Sequence, residues 1–561
     1  PVASGVEWKV KKRAYRALKD RIGADLVQWT DSWWIALPKS DPVEGKNPAC
    51  EEIRMSFIAT PETSSHVQQI IATSQEFGIP LCTKSGGHSY TCASVDDECL
   101  QLDLKLMKDS VVEVDDNGRH YLRFGTGSRG LDLFQVASKL DYSYVHGECD
   151  QVGTGGFFLH GGIHLGYESA KHGTGADNIH EMEVVWANGT VSTLNRSQNP
   201  DLLHAMTRAG SSFGIVTEIK MEIFPRLALE TPTVPWLIPV LNWDYTVDDV
   251  MSLWDLIWTL KRGGQHPNFQ VNFWVQSNRI TPPSLQISYL GSDLEKQADS
   301  FQTCADWIEE NLGITVGPLR KTVAEAVDSL WSTDEGFQSV APGYHIQIPD
   351  SADWTFPILK GFYRAEPYQS SSYIGAANDA TTDMLRIYAK KAYQTKRSRC
   401  LLLINMISVS PSEWLEKNVK SLDGVGCGNS TQDCFVSALD YTCFGDYQYL
   451  SEETTLDLQK SFSNKGDYFR YYNIPSKKDS KCRYWPDYTE LYQVKLKVDP
   501  ENFFDISQGI HQFSQSRFQG EGEDDCVDEL NKNKKIKNNE KKKKYKNKKK
   551  KNYKNNKNNN K

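Results

Sequence analysis

A chain of 561 residues is about twice the length at which one hydrophobic core stops growing, so two or more domains are expected. Apolar residues at 39% and aromatic residues at 11% exclude wholesale disorder, and no run of eighteen apolar residues offers a membrane span. The net charge of −8 divides unevenly: residues 531–561 hold 16 Lys and one Glu, which leaves −23 on the rest. A body that acidic repels nucleic acid, so no nucleic-acid partner is expected.

Residues 1–50 read as a lead-in, with a basic amphipathic helix over 7–22 followed by Trp33-Trp34 and a Pro-containing loop. Clearer grammar starts at Met55. Residues 55–59 read as a strand. Thr60 then caps a helix with Pro61 in its first position and Val67, Ile70, Ile71 and Phe77 on one apolar face. Gly78 closes that helix where a left-handed residue is needed. Residues 79–84 form a second strand that runs straight into Ser85-Gly-Gly-His-Ser-Tyr90. The spacing therefore predicts a strand–helix–strand unit that delivers a glycine-rich loop.

Two hairpins are predicted next, 111–124 around Asp115-Asp-Asn-Gly118 and 181–194 around Ala187-Asn-Gly189. Between them, residues 147–175 hold nine Gly in 29 positions, too many for an ordinary helix or strand. Such a backbone is expected to press against something bulky. A short helix over 201–209 and a long strand over 214–224 complete the region. After Pro225 the texture changes. Residues 226–465 carry long amphipathic stretches (247–260 and 297–312) and alternating strands such as 268–276, which read as an antiparallel sheet backed by helices. The Lys- and Asn-rich residues that close the chain, within 518–561, have nothing to bury and read as a solvated string.

Twelve Cys are present, and spacing suggests Cys92 with Cys99, Cys427 with Cys434 and Cys443 with Cys482. Sequons stand at Asn188-Gly-Thr, Asn195-Arg-Ser and Asn429-Ser-Thr. Together these lean toward an oxidising, secretory route. Because the chain starts at Pro1 rather than Met, the lack of a leader decides nothing.

The chemistry concentrates in the glycine-rich loops. Backbone N–H groups in such loops can cradle phosphate, and glycines let a flat ring approach the main chain. His88 stands between two glycines and a serine. Gly147-Glu-Cys149 follows about sixty residues later and enters Val152-Gly-Thr-Gly-Gly156 and Leu159-His-Gly-Gly162, and Gly210-Ser-Ser-Phe-Gly-Ile-Val216 lies beyond.

This constellation, with Lys495-x-Lys-Val-Asp-Pro-x-Asn-Phe-Phe504 near the end, resembles the flavin oxidases of the vanillyl-alcohol oxidase superfamily, in their berberine-bridge-enzyme-like and oligosaccharide-oxidase branch. The resemblance implies an α+β chain: a two-part PCMH-type FAD-binding domain (51–225, with 466–517 returning to it) and a substrate domain over 226–465. It implies bicovalent FAD, through His88 to the 8α carbon of the flavin and through Cys149 to its C6. Lys84, Ser85, Gly86, Gly87, Ser89, Val152, Gly153, Thr154, Gly155, Gly156, Leu159, His160, Gly161, Gly162, Gly214, Ile215 and Val216 are the expected remainder of the cofactor site, with Asn473 and Asn502 as hydrogen-bonding partners. No metal is implied.

Both tethering groups have a chemical reason. A neutral imidazole and a thiolate are nucleophiles able to add to electron-poor positions of an oxidised flavin. Tyr471, in Tyr471-Tyr-Asn473, matches the family's tyrosine that acts as catalytic base, and Val152 stands where O2-reactive relatives carry a small residue. The implied activity is oxidation of a hydroxyl-bearing small molecule with O2 as partner, giving H2O2, by a monomer. A sugar is favoured over a secondary metabolite, because the region 226–465 is rich in Trp and aromatic faces stack on sugar rings. A flavin-binding protein without turnover is the reading from another class. The chain departs from the family pattern at Phe157, where many relatives have His, and at Ile474.

Overall fold

The structure, a computed structural model, describes residues 7–30, 50, 53, 55–89, 92–147, 152–163, 167–225, 236–239, 246–262, 269–276, 284–289, 310, 368–376, 379–395, 400–409, 434–444, 446, 448–461, 488–505 and 509–510. Trp33-Trp34, the helix expected over 297–312 and the Lys/Asn-rich tail lie outside them, apart from residue 310. The chain is α+β.

Helix α1 (Trp8–Ile22) and strand β1 (Val27–Trp29) precede β2 (Phe57–Ala59), α2 (Ser64–Phe77), β3 (Leu81–Lys84) and β4 (Leu100–Asp103). These strands form one sheet in the order β1-β2-β4-β3, with β2 and β3 both parallel to β4. Helix α2 begins three residues later than its sequence suggests. Thr63, rather than Thr60, is the cap, its hydroxyl accepting from the His66 N–H at 3.2 Å. Such a cap contributes about 1 kcal/mol. Gly78 ends the helix at φ 62°. Val67, Ile70 and Ile71 are fully buried against the sheet, each stabilising by roughly 1.5–3 kcal/mol.

A second, antiparallel sheet is built from β5 (Ser110–Val114), β6 (His120–Gly125), β7 (Tyr142–Ser143), β8 (Ile179–Trp186), β9 (Val191–Asn195) and β10 (Gly214–Pro225). Between β6 and β10 come α3 (Gly130–Ala137), α4 (Thr154–Phe158), α5 (Tyr167–His172) and α6 (Pro200–Ala209). The glycine-rich stretch is thus not wholly irregular: it holds two helices, of five and six residues. Along the central strand β10, Ile219, Met221 and Ile223 face the core while Glu218, Lys220 and Glu222 face outward, as period-two patterning requires. On that outer face Arg123 meets Glu113 at 2.6 Å, Glu218 at 2.6 Å and Glu181 at 3.0 Å. The two sheets share core residues: Val185, Ala187 and Ile215 of the second pack with Phe57, Leu100 and Leu102 of the first.

The third sheet has the order β11-β13-β12-β15-β16-β14, antiparallel throughout: β11 (Trp236–Pro239), β12 (Phe269–Gln276), β13 (Ser284–Tyr289), β14 (Tyr368–Ala376), β15 (Cys400–Val409) and β16 (Cys434–Phe444). Helices α7 (Val247–Arg262), α8 (Asp379–Gln394) and α9 (Gln448–Ser461) back it, with α8 touching both of the others. Buried Trp254 ties α7 to α8 by donating from Nε1 to Thr382 Oγ1 at 3.1 Å. Helix α10 (Tyr488–Val498) then returns to the second sheet, where Tyr488, Leu491 and Ile510 join its core.

Cysteine pairing departs from the sequence expectation. Cys92 bonds Cys50, Cys99 bonds Cys82, and Cys443 bonds Cys400. Short sequence spacing lost to sheet register. Parallel β3 and β4 bring residues 82 and 99 to neighbouring positions, and antiparallel β15 and β16 set Cys400 opposite Cys443. Cys427 and Cys482 lie outside the described residues. Non-reducing peptide mapping is expected to recover 50–92 and 82–99 linked peptides; a 92–99 peptide would contradict this pairing.

Candidate functional site

Strand β3 ends at Lys84, whose ammonium pairs at 3.1 Å with Asp103, its register partner on β4. The glycine loop starts there. Ser85 Oγ donates to the Thr126 carbonyl at 2.6 Å and accepts from the Gly155 N–H at 3.2 Å. One hydroxyl therefore stitches the His88 loop to the second glycine loop. Thr126, just past β6, is held by β10: its N–H donates to Thr217 O at 3.1 Å and its hydroxyl to Val216 O. Thr154 Oγ1 donates to Ser128 O at 3.0 Å.

Contact between the two loops is so close that only glycine fits. A Cβ on Gly153 would stand 2.0 Å from Gly86 N and 2.5 Å from its Cα. Gly87, at φ 72°, occupies the left-handed region. The N–H groups of Gly86 and Gly87 donate to no protein group among the described residues, which leaves them to an anionic or carbonyl-bearing ligand. His88 and Ser89 are half-buried beside them. Gly156 is exposed, with nothing within 4 Å of where its Cβ would be. Free donors, a half-buried imidazole between glycines and open space over Gly156 fit a large flat cofactor that carries phosphates.

Other expected site residues sit deeper. His160 is buried, its Nδ1 2.8 Å from Gly156 O and its Nε2 2.9 Å from Ser211 Oγ. With both nitrogens bonded to protein, it clamps the second loop to the turn before β10. Leu159 packs on Gly210, and the carbonyls of Gly161 and Gly162 accept from Ala176 N and Gly175 N, each at 2.7 Å. Gly214, Ile215 and Val216 are buried strand residues paired with β8, forming the floor that carries Thr126. Val152 is half-buried against the core of the second sheet, and its carbonyl accepts from Gly130 N at 3.0 Å. Asn502 is buried at φ 53°, its Oδ1 without a partner among the described residues. Cys149, Tyr471 and Asn473 lie outside the described residues.

Thr126, Ser212 and Lys495 carry parts of the site that motif reading passed over. Lys495 is fully buried and donates to Ser212 O at 2.6 Å, Asp499 Oδ2 at 2.7 Å and Phe504 O at 2.9 Å. Ser212 Oγ in turn accepts from Ile510 N at 3.0 Å. The returning segment is thereby fastened to the turn that leads into β10. Two signals were present: a polar residue inside Gly210-Ser-Ser-Phe-Gly, and a Lys four residues before an Asp on a helix end.

Burial pushes the His160 imidazole down to about 4, only partly offset by its bond to Gly156 O. Burial does the same to His172, whose ring stacks on Phe224 at 3.5 Å. An unfolded histidine binds a proton near pH 6.5 and the folded His160 does not, so stability is complete above pH 6.5 and falls as pH drops toward about 4. That difference amounts to about 3 kcal/mol for His160. Urea midpoints between pH 7 and pH 4 are expected to fall, and less steeply in His160→Gln; an unchanged slope would contradict this role.

Helix α5, inside the glycine-rich stretch, lies against β15, so the second loop continues toward the third sheet. Residues 55–195 match the family described as FAD binding domain, and residues 470–511 the family described as berberine and berberine like. Both matches agree with the resemblance to the berberine-bridge-enzyme-like flavin oxidases, an FAD-binding part followed by a berberine-like ending. Among its relatives, a xylooligosaccharide oxidase of Thermothelomyces thermophilus is 26% identical over 359 residues, covering 62% of this chain and 64% of that protein. The carbohydrate oxidase of Microdochium nivale is 32% identical over 183 residues, covering 31% of this chain and 36% of that one. The chain therefore aligns with under two thirds of either relative. The solved xylooligosaccharide oxidase from Myceliophthora thermophila C1, in complex with xylobiose, shares the fold at TM-score 0.63 and 22% identity, over 88% of this chain and 99% of that one. The stitched glycine loops lie within the stretch that matches the FAD binding domain.

Proposed function

We propose that the chain is a secreted FAD-linked oxidase acting on a hydroxyl-bearing small molecule, with a carbohydrate as the favoured substrate and O2 as the electron acceptor. The observation that carries this reading is the seam at Gly153 and Gly86, which brings the His88 loop against the segment that follows Cys149. His88 would hold the flavin through its 8α carbon and Cys149 through C6, with the free N–H groups of Gly86 and Gly87 turned to its polar atoms. Bound FAD would supply the hydride acceptor that O2 then reoxidises with release of H2O2.

The protein's own part is to orient the substrate and remove the hydroxyl proton. Tyr471 is the assigned base. A tyrosine needs its pKa drawn well below 10 for that task near neutral pH, which calls for a nearby cation or dipole. The region 226–465, with its antiparallel sheet, is assigned to substrate, and 466–517 to closure of the FAD part. The names of the two curated relatives support a sugar. The three disulfides support the secretory route.

The test is anaerobic addition of a panel of oligosaccharides and secondary alcohols, followed by readmission of air with peroxide detection. Loss of flavin absorbance with a sugar, and peroxide on reoxidation, are expected. Bleaching only by a non-sugar alcohol would overturn the substrate class, and no bleaching by any compound would overturn the enzymatic reading.

A further inference from the structure

The β8–β9 hairpin carries a sequon at its tip, and the surrounding contacts make it a prepared surface. The turn closes through Gly189 N to Trp186 O and Trp186 N to Thr190 O, each at 2.9 Å. Gly189, at φ 78°, supplies the left-handed residue that ends the three-residue loop between the paired Trp186 and Thr190. Helix α2 grips the turn on both sides of Asn188. Gln68 Nε2 donates to Gly189 O at 2.6 Å and Gln75 Nε2 to Ala187 O at 2.8 Å. The backbone is thereby fixed inward, and the Asn188 side chain is left exposed.

The side chain is also oriented. Asn188 Oδ1 accepts from the Thr190 N–H at 3.0 Å and from the Thr190 hydroxyl at 2.7 Å. With the oxygen taken up, the amide nitrogen is the atom presented to solvent, and it donates to no protein group among the described residues. The hydroxyl two residues on, which defines the acceptor motif, is one of the two groups that hold the side chain this way.

Asn195, seven residues later, shares this local shape but not its setting. Its Oδ1 accepts from Ser197 N at 3.0 Å, Ser197 Oγ at 2.8 Å and Gln198 N at 2.7 Å. The residue is half-buried at the end of β9, paired in register with Glu181. Beside it the Arg196 guanidinium donates to the carbonyls of Asp177 and Ile179. Asn195 is thus half-buried at a strand end with its oxygen held by three donors, whereas Asn188 stands exposed at the hairpin tip.

We propose that Asn188 is an attachment site for an N-linked glycan and that Asn195 stays unmodified. In the attachment step Asn188 Nδ2 bonds to the anomeric carbon of a lipid-linked oligosaccharide pyrophosphate. The bond from that carbon to phosphate oxygen breaks, the lipid pyrophosphate leaves with the electron pair, and one amide proton passes to a base of the transferase. Nothing is oxidised or reduced. The glycan would stand over the hairpin tip beside α2, on a surface that already points to water.

This inference rests on the secretory part of the proposed function. The test therefore supplies the route: the full chain is expressed behind a heterologous leader in yeast, so that a bare Asn188 counts against the site and not against the natural route. Secreted protein is digested with and without peptide-N-glycosidase F, which converts a glycosylated Asn to Asp, and the peptides are mapped by mass. Asn188 is expected as Asp after treatment and Asn195 as Asn. Asn188→Gln is expected to lower the intact mass by one glycan, and Asn195→Gln to leave the glycan mass unchanged. Mapping of the unaltered chain does not depend on whether a variant is secreted. An unmodified Asn188, or a glycan on Asn195, would overturn the proposal.

Discussion

Acid-precipitated protein is expected to stay yellow through repeated washing, and replacing His88 and Cys149 together by Ala is expected to release all of the colour. His88 sits half-buried in a loop fixed on two sides, by Ser85 bonded to Thr126 O and Gly155 N and by the pairing of Lys84 with Asp103. A nucleophile held in one place adds far faster than one that must search for its partner. Each single variant is expected to keep the flavin mass through the remaining tether, which separates two bonds from one. Gly153→Ala tests the seam without touching either nucleophile. Its Cβ would meet the backbone of Gly86, which cannot step aside as the end of a side chain can. The loops must part, and most of the doubly tethered fraction is expected to disappear from the intact-mass spectrum. Colour that washes out of the unaltered protein would sink the assignment of both tethers.

Lys495→Met is expected to destabilise the FAD-binding part by about 3–5 kcal/mol, the range seen when one partner of a buried ion pair is removed. The Lys495 and Asp499 side chains are 0% and 1% exposed. Methionine fills the same space but leaves the Asp499 carboxylate without its cation and the carbonyls of Ser212 and Phe504 without their donor. Asp499 also accepts from Phe503 N at 2.8 Å and Phe504 N at 2.9 Å, so it cannot turn away without freeing two more groups. Burial lowers the Lys495 pKa, and the Asp499 charge works against that shift. Lys495→Met combined with Asp499→Asn leaves no buried charge and is expected to recover part of the loss. Urea midpoints followed by flavin fluorescence measure both variants. A loss under 1 kcal/mol in the single variant would show that the pair is not what fastens the returning segment.

Elements whose signals are local were legible in the chain. The helix at α2, its left-handed Gly78 and both hairpin turns follow from residues within a few positions of one another. Misplacing the α2 cap at Thr60 instead of Thr63 has the same local origin, since two threonines competed and Pro61 favoured the earlier one. The glycine loops were legible as loops because no other residue tolerates so close a backbone approach. Their partners were not: that Ser85 would spend its hydroxyl on Thr126 and Gly155 depends on strands that meet from far apart in sequence.

By itself the sequence determined the glycine loop carrying His88, the berberine-like ending and the likeness to flavin oxidases, and through that resemblance the α+β class. Periodicity and motif spacing are properties of neighbouring residues, and they survive without knowledge of the fold. Only the tertiary structure decided that Cys82 pairs with Cys99, that His160 is a neutral clamp between Gly156 and Ser211, and that Lys495 reaches Ser212 across 283 positions. Each of these rests on a contact between residues well separated in sequence, 17 positions for Cys82 and Cys99 and 51 for His160 and Ser211. Which buried polar group finds which partner is set by sheet register and helix docking, and no local pattern encodes it.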